Sequence, residues 1–192
     1  MTELVELAVD SLRSVGVELR EGMSESQLAE TERKFGFTFS PDHREFLSLV
    51  TPVGEDWWNW RVDSEPSLRA QLEWPIEGSL YDVEHNGFWL TAWGEVPEDR
   101  ESALAIAERE IRAWPALIPI WGHRFMPAAP LGRGAPVFSV FQTDVIYYGD
   151  NLLDYFHREF AGPADSTSIE SDDDAESLWP WSKFAMGDGS LE

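Results

Sequence analysis

The sequence predicts an α+β fold, with helices packed around a mainly antiparallel sheet. Three observations carry that prediction. The first fifty residues hold start and stop signals for three successive helices. Residues 136–156, PVFSVFQTDVIYYGDNLLDYF, read as strand, tight polar turn, strand and abrupt helix. Finally, 43% of the 192 residues are hydrophobic. A chain of this size buries a full core without metal or disulfide staples. One domain is therefore expected over 1–162, followed by an acidic linker and a Trp-containing C-terminal tail over 163–192.

The elements follow in order. Over 3–15, Leu4, Ala8, Leu12 and Val15 share one helical face. Ser24 and Gln27 form a capping box, Met23 and Leu28 stand where a hydrophobic staple would, and a helix over 25–35 stops at Gly36. Ser40 and Pro41 open a third helix over 41–50, with Phe46, Leu47, Leu49 and Val50 apolar and Pro52 ending it. GEDWWNWRVD reads as loop or short strand. A helix from Ser64 is expected to stop at Trp74-Pro75, because a residue before proline disfavours helical backbone. Asn86-Gly87 signals a hairpin or a bulged strand. Pro97 opens a helix over 98–113, with Ala103, Leu104, Ala107 and Ile111 inward. ALIPIW is a buried strand. Strands 136–141 and 145–148 pair antiparallel with Val, Ile and Phe inward, and a helix over 150–160 packs Leu152, Leu153, Phe156 and Phe160.

Charge narrows the function. With 36 acidic against 14 basic residues the net charge is −22. Such a surface repels phosphate backbones and anionic membranes and favours a basic protein partner. Ten Trp and eleven Phe exceed what a core of this size needs, so some rings are expected on a groove or surface. The chain has no Cys, which removes disulfides, thiolate nucleophiles and cysteine metal sites. The N-terminus lacks the basic and apolar regions of a leader, and no apolar run approaches the ~20 residues of a membrane span, so a cytoplasmic location is expected.

No chemistry-bearing constellation stands out. His43, His85, His123 and His157 share no ligand spacing, and there is neither a nucleophile elbow nor a P-loop. Gly132-Arg133-Gly134 lies in a Pro-rich loop rather than between strand and helix, and Asp172, Asp173 and Asp174 lack the spacing of a calcium loop. The expectation is a non-enzyme with no catalytic residues, no metal and no cofactor. The candidate partner-binding residues are Trp57, Trp58, Trp60, Arg61, Gln142 and Tyr148. In the WWNWR cluster an inward strand face competes with a groove lining, because three Trp within four residues cannot all point one way on a strand.

GMSESQLAETERKFGFTFSPDHREFLSLVTPVG resembles the N-terminal signature of the SMI1/KNR4 family, also called the SUKH superfamily. The matching positions are Glu32, Gly36, Pro41, Asp42, Phe46 and Leu47. LIPIWGHRFMPAAP and PVFSVFQTDVIYYGDNLLDYF are similar to the later part of its bacterial branch, so the resemblance spans roughly 22–161. Pro52-Val53-Gly54 replaces the family's usual Gly-Gly. The resemblance implies an α+β domain and, for many bacterial members, an immunity protein that binds and neutralises a toxin. The other class in view is a small-molecule enzyme or sensor using an aromatic pocket.

Overall fold

The computed structural model describes residues 2–161 and 180–185. The chain runs α1 (Glu3–Ser14), β1 (Glu18–Glu21), α2 (Glu25–Phe35), α3 (Pro41–Leu49), β2 (Val50–Val53) and α4 (Glu65–His85). It continues through α5 (Arg100–Arg112), β3 (Leu117–Trp121), β4 (Arg124–Pro127), β5 (Val137–Phe141), β6 (Asp144–Gly149) and α6 (Leu152–Phe156). A π-helical turn over His157–Ala161 extends α6, and α7 (Ser182–Ala185) closes the described chain. Strands β3, β4, β5 and β6 pair antiparallel in chain order, and β1 pairs with β2 in a separate ribbon. The fold is α+β, as the sequence predicts.

The entrance helices form for the reasons their sequences give. The Ser24 hydroxyl accepts from the Gln27 N–H while the Gln27 side chain takes the Ser24 N–H, so both orphan donors are satisfied. Gly36 then enters the left-handed region at φ +79°, and the Phe37 N–H returns to the Glu32 carbonyl to close the helix. Ser40 differs from expectation. It precedes Pro41, but its hydroxyl makes no capping bond and is buried without a partner among the described residues. In α1, Val5 and Val9 join Ala8 and Leu12 in the core, while Val15 lies beyond the helix and is exposed. Pro52 does not merely stop α3. It sits in β2 opposite Leu19, on a two-stranded ribbon where its missing N–H costs little.

The sheet divides the interior in two. Ile118, Ile120, Met126 and Val137 join the core built on α1, α2, α3 and α6. Leu117, Phe125, Phe138, Val140 and Val145 join a second core with Ile111 of α5 and with Trp181 and Phe184. The Trp181 indole N–H donates to the Pro115 carbonyl at 2.8 Å, and its ring meets Trp114 edge-on at 5.1 Å. Trp179 and the acidic stretch 163–177 lie outside the described residues.

Four further expectations need correcting. Helix α4 does not stop at Trp74 but runs through Pro75 to His85. An interior proline costs a free helix about 3 kcal/mol. Here Pro75 is buried on the stripe Leu68, Pro75, Ser79 and Asp82, and the Ser79 hydroxyl donates to the Pro75 carbonyl at 2.7 Å. That stripe is too polar to show as an apolar periodicity. Asn86-Gly87 accordingly makes no hairpin. Asn86 is the C-cap of α4 and Gly87 takes φ +68°, the same left-handed preference put to a different use. In β5–β6 the inward alternation fails at the turn end, where Phe141 and Ile146 point outward. More narrowly, Asp99 rather than Pro97 caps α5, its carboxylate accepting the Ser102 N–H at 2.8 Å.

Phe46 is buried against Phe156, with ring centroids 5.3 Å apart. Replacing it by Ala is expected to cost about 3–5 kcal/mol in denaturant unfolding. A cost near zero would mean that the ring does not hold α3 to α6.

Candidate interaction surface

The six sequence candidates do not form one site. Trp57, Trp58, Trp60 and Arg61 lie in the irregular segment between β2 and α4 rather than on a regular strand. Trp57 makes a single bridge with Trp121, and its ring stacks on Phe160 at 5.4 Å. The Trp58 indole N–H donates to the Gly122 carbonyl at 3.0 Å. Both rings are half-buried and pack on the first core. Trp60 is fully inside, edge-on to Phe35, Phe37 and Phe39 at 5.4–5.5 Å. The Arg61 guanidinium donates to the Glu21 and Gly22 carbonyls and to the Thr51 hydroxyl, so it staples the β1–β2 ribbon.

Tyr148 belongs to a second cluster. It is half-buried beneath the Arg124 guanidinium, which lies 3.8 Å from the ring centroid. Arg124 is buried, bonds Glu159 at 3.1 Å and Ser139 at 2.9 Å, and also contacts His123. Partial burial and the neighbouring Arg124 charge hold the exposed His123 ring below the usual histidine range. Burial pushes the Tyr155 phenol well above its ordinary value. This cluster ties the π turn to the sheet, and its polar groups are largely spent on one another. Among the described residues no three His, Asp or Glu side chains converge as a metal site would require.

Gln142 lies at the other end of the hairpin. It adopts φ +55°, a conformation a non-glycine residue keeps only when its surroundings enforce it. Two contacts do so. Gly78 of α4 lets the turn approach so closely that a Cβ there would lie 3.0 Å from the Gln142 Cα. Thr143 donates its N–H and its hydroxyl to the Asp82 carboxylate of α4, at 3.0 and 2.6 Å.

That seating creates the surface the sequence does not reveal. Phe141 is 57% exposed and Ile146 47%, diagonal neighbours on one sheet face that no helix among the described residues covers at this end. Trp74, 42% exposed, meets Phe141 at 6.5 Å, and Tyr81, 48% exposed, follows two turns along the same face of α4. Glu77 between them and Asp144 beside Phe141 are exposed and unpaired among the described residues. The only sequence signal was Trp74, and the following Pro75 concealed that it stands on a continuous helix.

Compared with protein-family models, curated proteins and solved structures, the chain has no match. Among the described residues no helix is long and apolar enough to cross a membrane.

A pH prediction follows from the interior around Trp60. His43 is buried edge-on to Phe39 at 5.0 Å, and burial lowers its pKa from 6.5 to about 3. The unfolded chain therefore binds one more proton between those values. The stabilising contribution is complete above about pH 6.5 and is lost as pH falls toward 3, by at most about 1.4 kcal/mol per pH unit. The difference in unfolding free energy between wild type and His43→Gln should show that slope. Parallel pH curves for the two proteins would exclude it.

Proposed function

We propose that this chain is a non-enzymatic protein-binding domain whose partner is a basic protein. We further infer an immunity protein of the SMI1/KNR4 type that neutralises a cognate toxin. One observation carries the first statement: exposed aromatic rings stand among carboxylates that have no cation to pair with. Among the described residues every Lys and Arg except Arg61 and Lys183 is already within ion-pair distance of a carboxylate. Arg61 is committed to backbone carbonyls. With 36 acidic residues the remainder form a field that only a positively charged partner neutralises. The toxin-neutralising role rests on the sequence resemblance alone.

A second reading has an observation of its own. A cavity of about 360 Å³ opens between α2, α4 and α5, with Phe35, Phe37, Trp114 and Trp181 in its wall. Its size suits a small ligand, which keeps the aromatic-pocket sensor or enzyme in view. Its two guanidinia, Arg69 and Arg112, are already paired with Glu65 and with Glu73 and Glu108, so it offers such a ligand no free charge.

The test is co-expression with the product of each adjacent gene, followed by capture on the full chain and kinetic measurement. The partner should be basic, and its association rate should fall as salt screens charge over about 10 Å at 0.1 M. Trp74→Ala or Phe141→Ala should each weaken binding by about 2 kcal/mol with melting nearly unchanged. Trp60→Ala should instead lower the melting temperature. A partner that is acidic, a nucleic acid or a small metabolite would sink the proposal.

A further inference from the structure

The described residues contain three buried charged side chains, and two of them are ion-paired. Asp42 meets Arg133 at 2.7 Å and Arg124 meets Glu159 at 3.1 Å. Asp82, 6% exposed, has no cation within ion-pair distance among the described residues. It accepts from the Thr143 N–H and hydroxyl and from the Asn86 side-chain amide at 2.6 Å, but all three donors are neutral. A buried carboxylate without a counter-charge is unusual, because buried charges are normally paired.

Asp82 lines an open groove of about 350 Å³ between the end of α4 and the β5–β6 turn. Its other walls include Asn86, Phe88, Phe141, Thr143 and Asp144. Three features make the groove electronegative. Asp82 forms part of its wall, the unpaired Asp144 stands exposed at its side, and the carbonyl end of the 21-residue helix α4 adds its negative dipole. One wall is the apolar Phe141 ring, continuous with Trp74.

We propose that this groove receives an arginine side chain from the basic protein partner, a deepening that rests on the protein-binding function above. The aliphatic stem lies along Phe141, whose face also attracts the guanidinium, and the planar cation donates to Asp144 next to the Asp82 charge. A metal ion fits poorly, since one of the two carboxylates is already occupied by three donors and no third His, Asp or Glu among the described residues converges there. The exposed Trp74, Tyr81 and Ile146 then cover the apolar flanks of the same partner segment.

The experiment titrates the isotope-labelled full chain with acetyl-Gly-Arg-Gly-amide and follows backbone amide shifts. Saturable changes are expected at Asn86–Phe88 and Thr143–Asp144, and none with acetyl-Gly-Gln-Gly-amide. Asp144→Asn should weaken the arginine peptide about fivefold or more at an unchanged melting temperature, since Asp144 is exposed. Shifts spread over other carboxylates, or an unchanged affinity in Asp144→Asn, would overturn the assignment. A captured basic protein whose affinity ignores both Asp144→Asn and Phe141→Ala would remove the groove and leave the protein-binding function standing. Saturation of the groove by the peptide with no basic protein bound by the chain would do the reverse.

Discussion

A sheet with two apolar faces needs two covers, and most of this architecture follows from that requirement. The first cover is assembled early in the chain and completed late, by α1, α2 and α3 with α6. The second is assembled from α5, the segment around Leu90 and two rings near the C-terminus, Trp181 and Phe184. Neither group reaches the turn end of β5–β6 on the first face. Arg124, Ser139 and Tyr148 are capped there by the π turn, but Phe141 and Ile146 one step further are left bare. The exposed patch is thus a consequence of where the helices end.

Helix α4 connects the two halves. Leu68 and Leu72 pack on the first core and Ile76 on the second, and Asp82 holds the hairpin turn. Gly78 faces that turn one helical turn earlier, where a Cβ would lie 3.0 Å from the Gln142 Cα and Gln142 would have to give way. The contact that stiffens the hairpin also sets Phe141 beside Trp74 and leaves a groove at the helix end. Packing and surface are therefore coupled through one helix.

Electrostatics separates local structure from the surface. Nearly every cation is used within the fold, in pairs such as Arg44 with Glu25 and Glu32, or Arg112 with Glu73 and Glu108. Exposed pairs of this kind add little stability, commonly about 0–1 kcal/mol. Their larger effect is to withdraw positive charge from the surface, so the outward field is set by the unpaired carboxylates.

Composition and local signals by themselves determined the fold class, the α2 capping box, the glycine stop at Gly36 and the β5–β6 pairing. Each of these depends on residues within a few positions of one another, where backbone sterics and short hydrogen bonds decide. They also determined the acidic character, which needs no structure to count. The course of α4 was decided by tertiary structure, because burial of Pro75 and Ser79 against distant strands outweighs a local helix-breaking preference. Asn86-Gly87 was ambiguous for the same reason, since a left-handed glycine serves a helix end as well as a hairpin. Candidate surface residues were the least legible. Trp60 and Phe141 are both aromatic and both followed by a polar residue, Arg61 and Gln142, yet one lies among three Phe rings and the other faces outward. Which ring is covered depends on where a helix from another part of the chain comes to rest, and no local pattern carries that information.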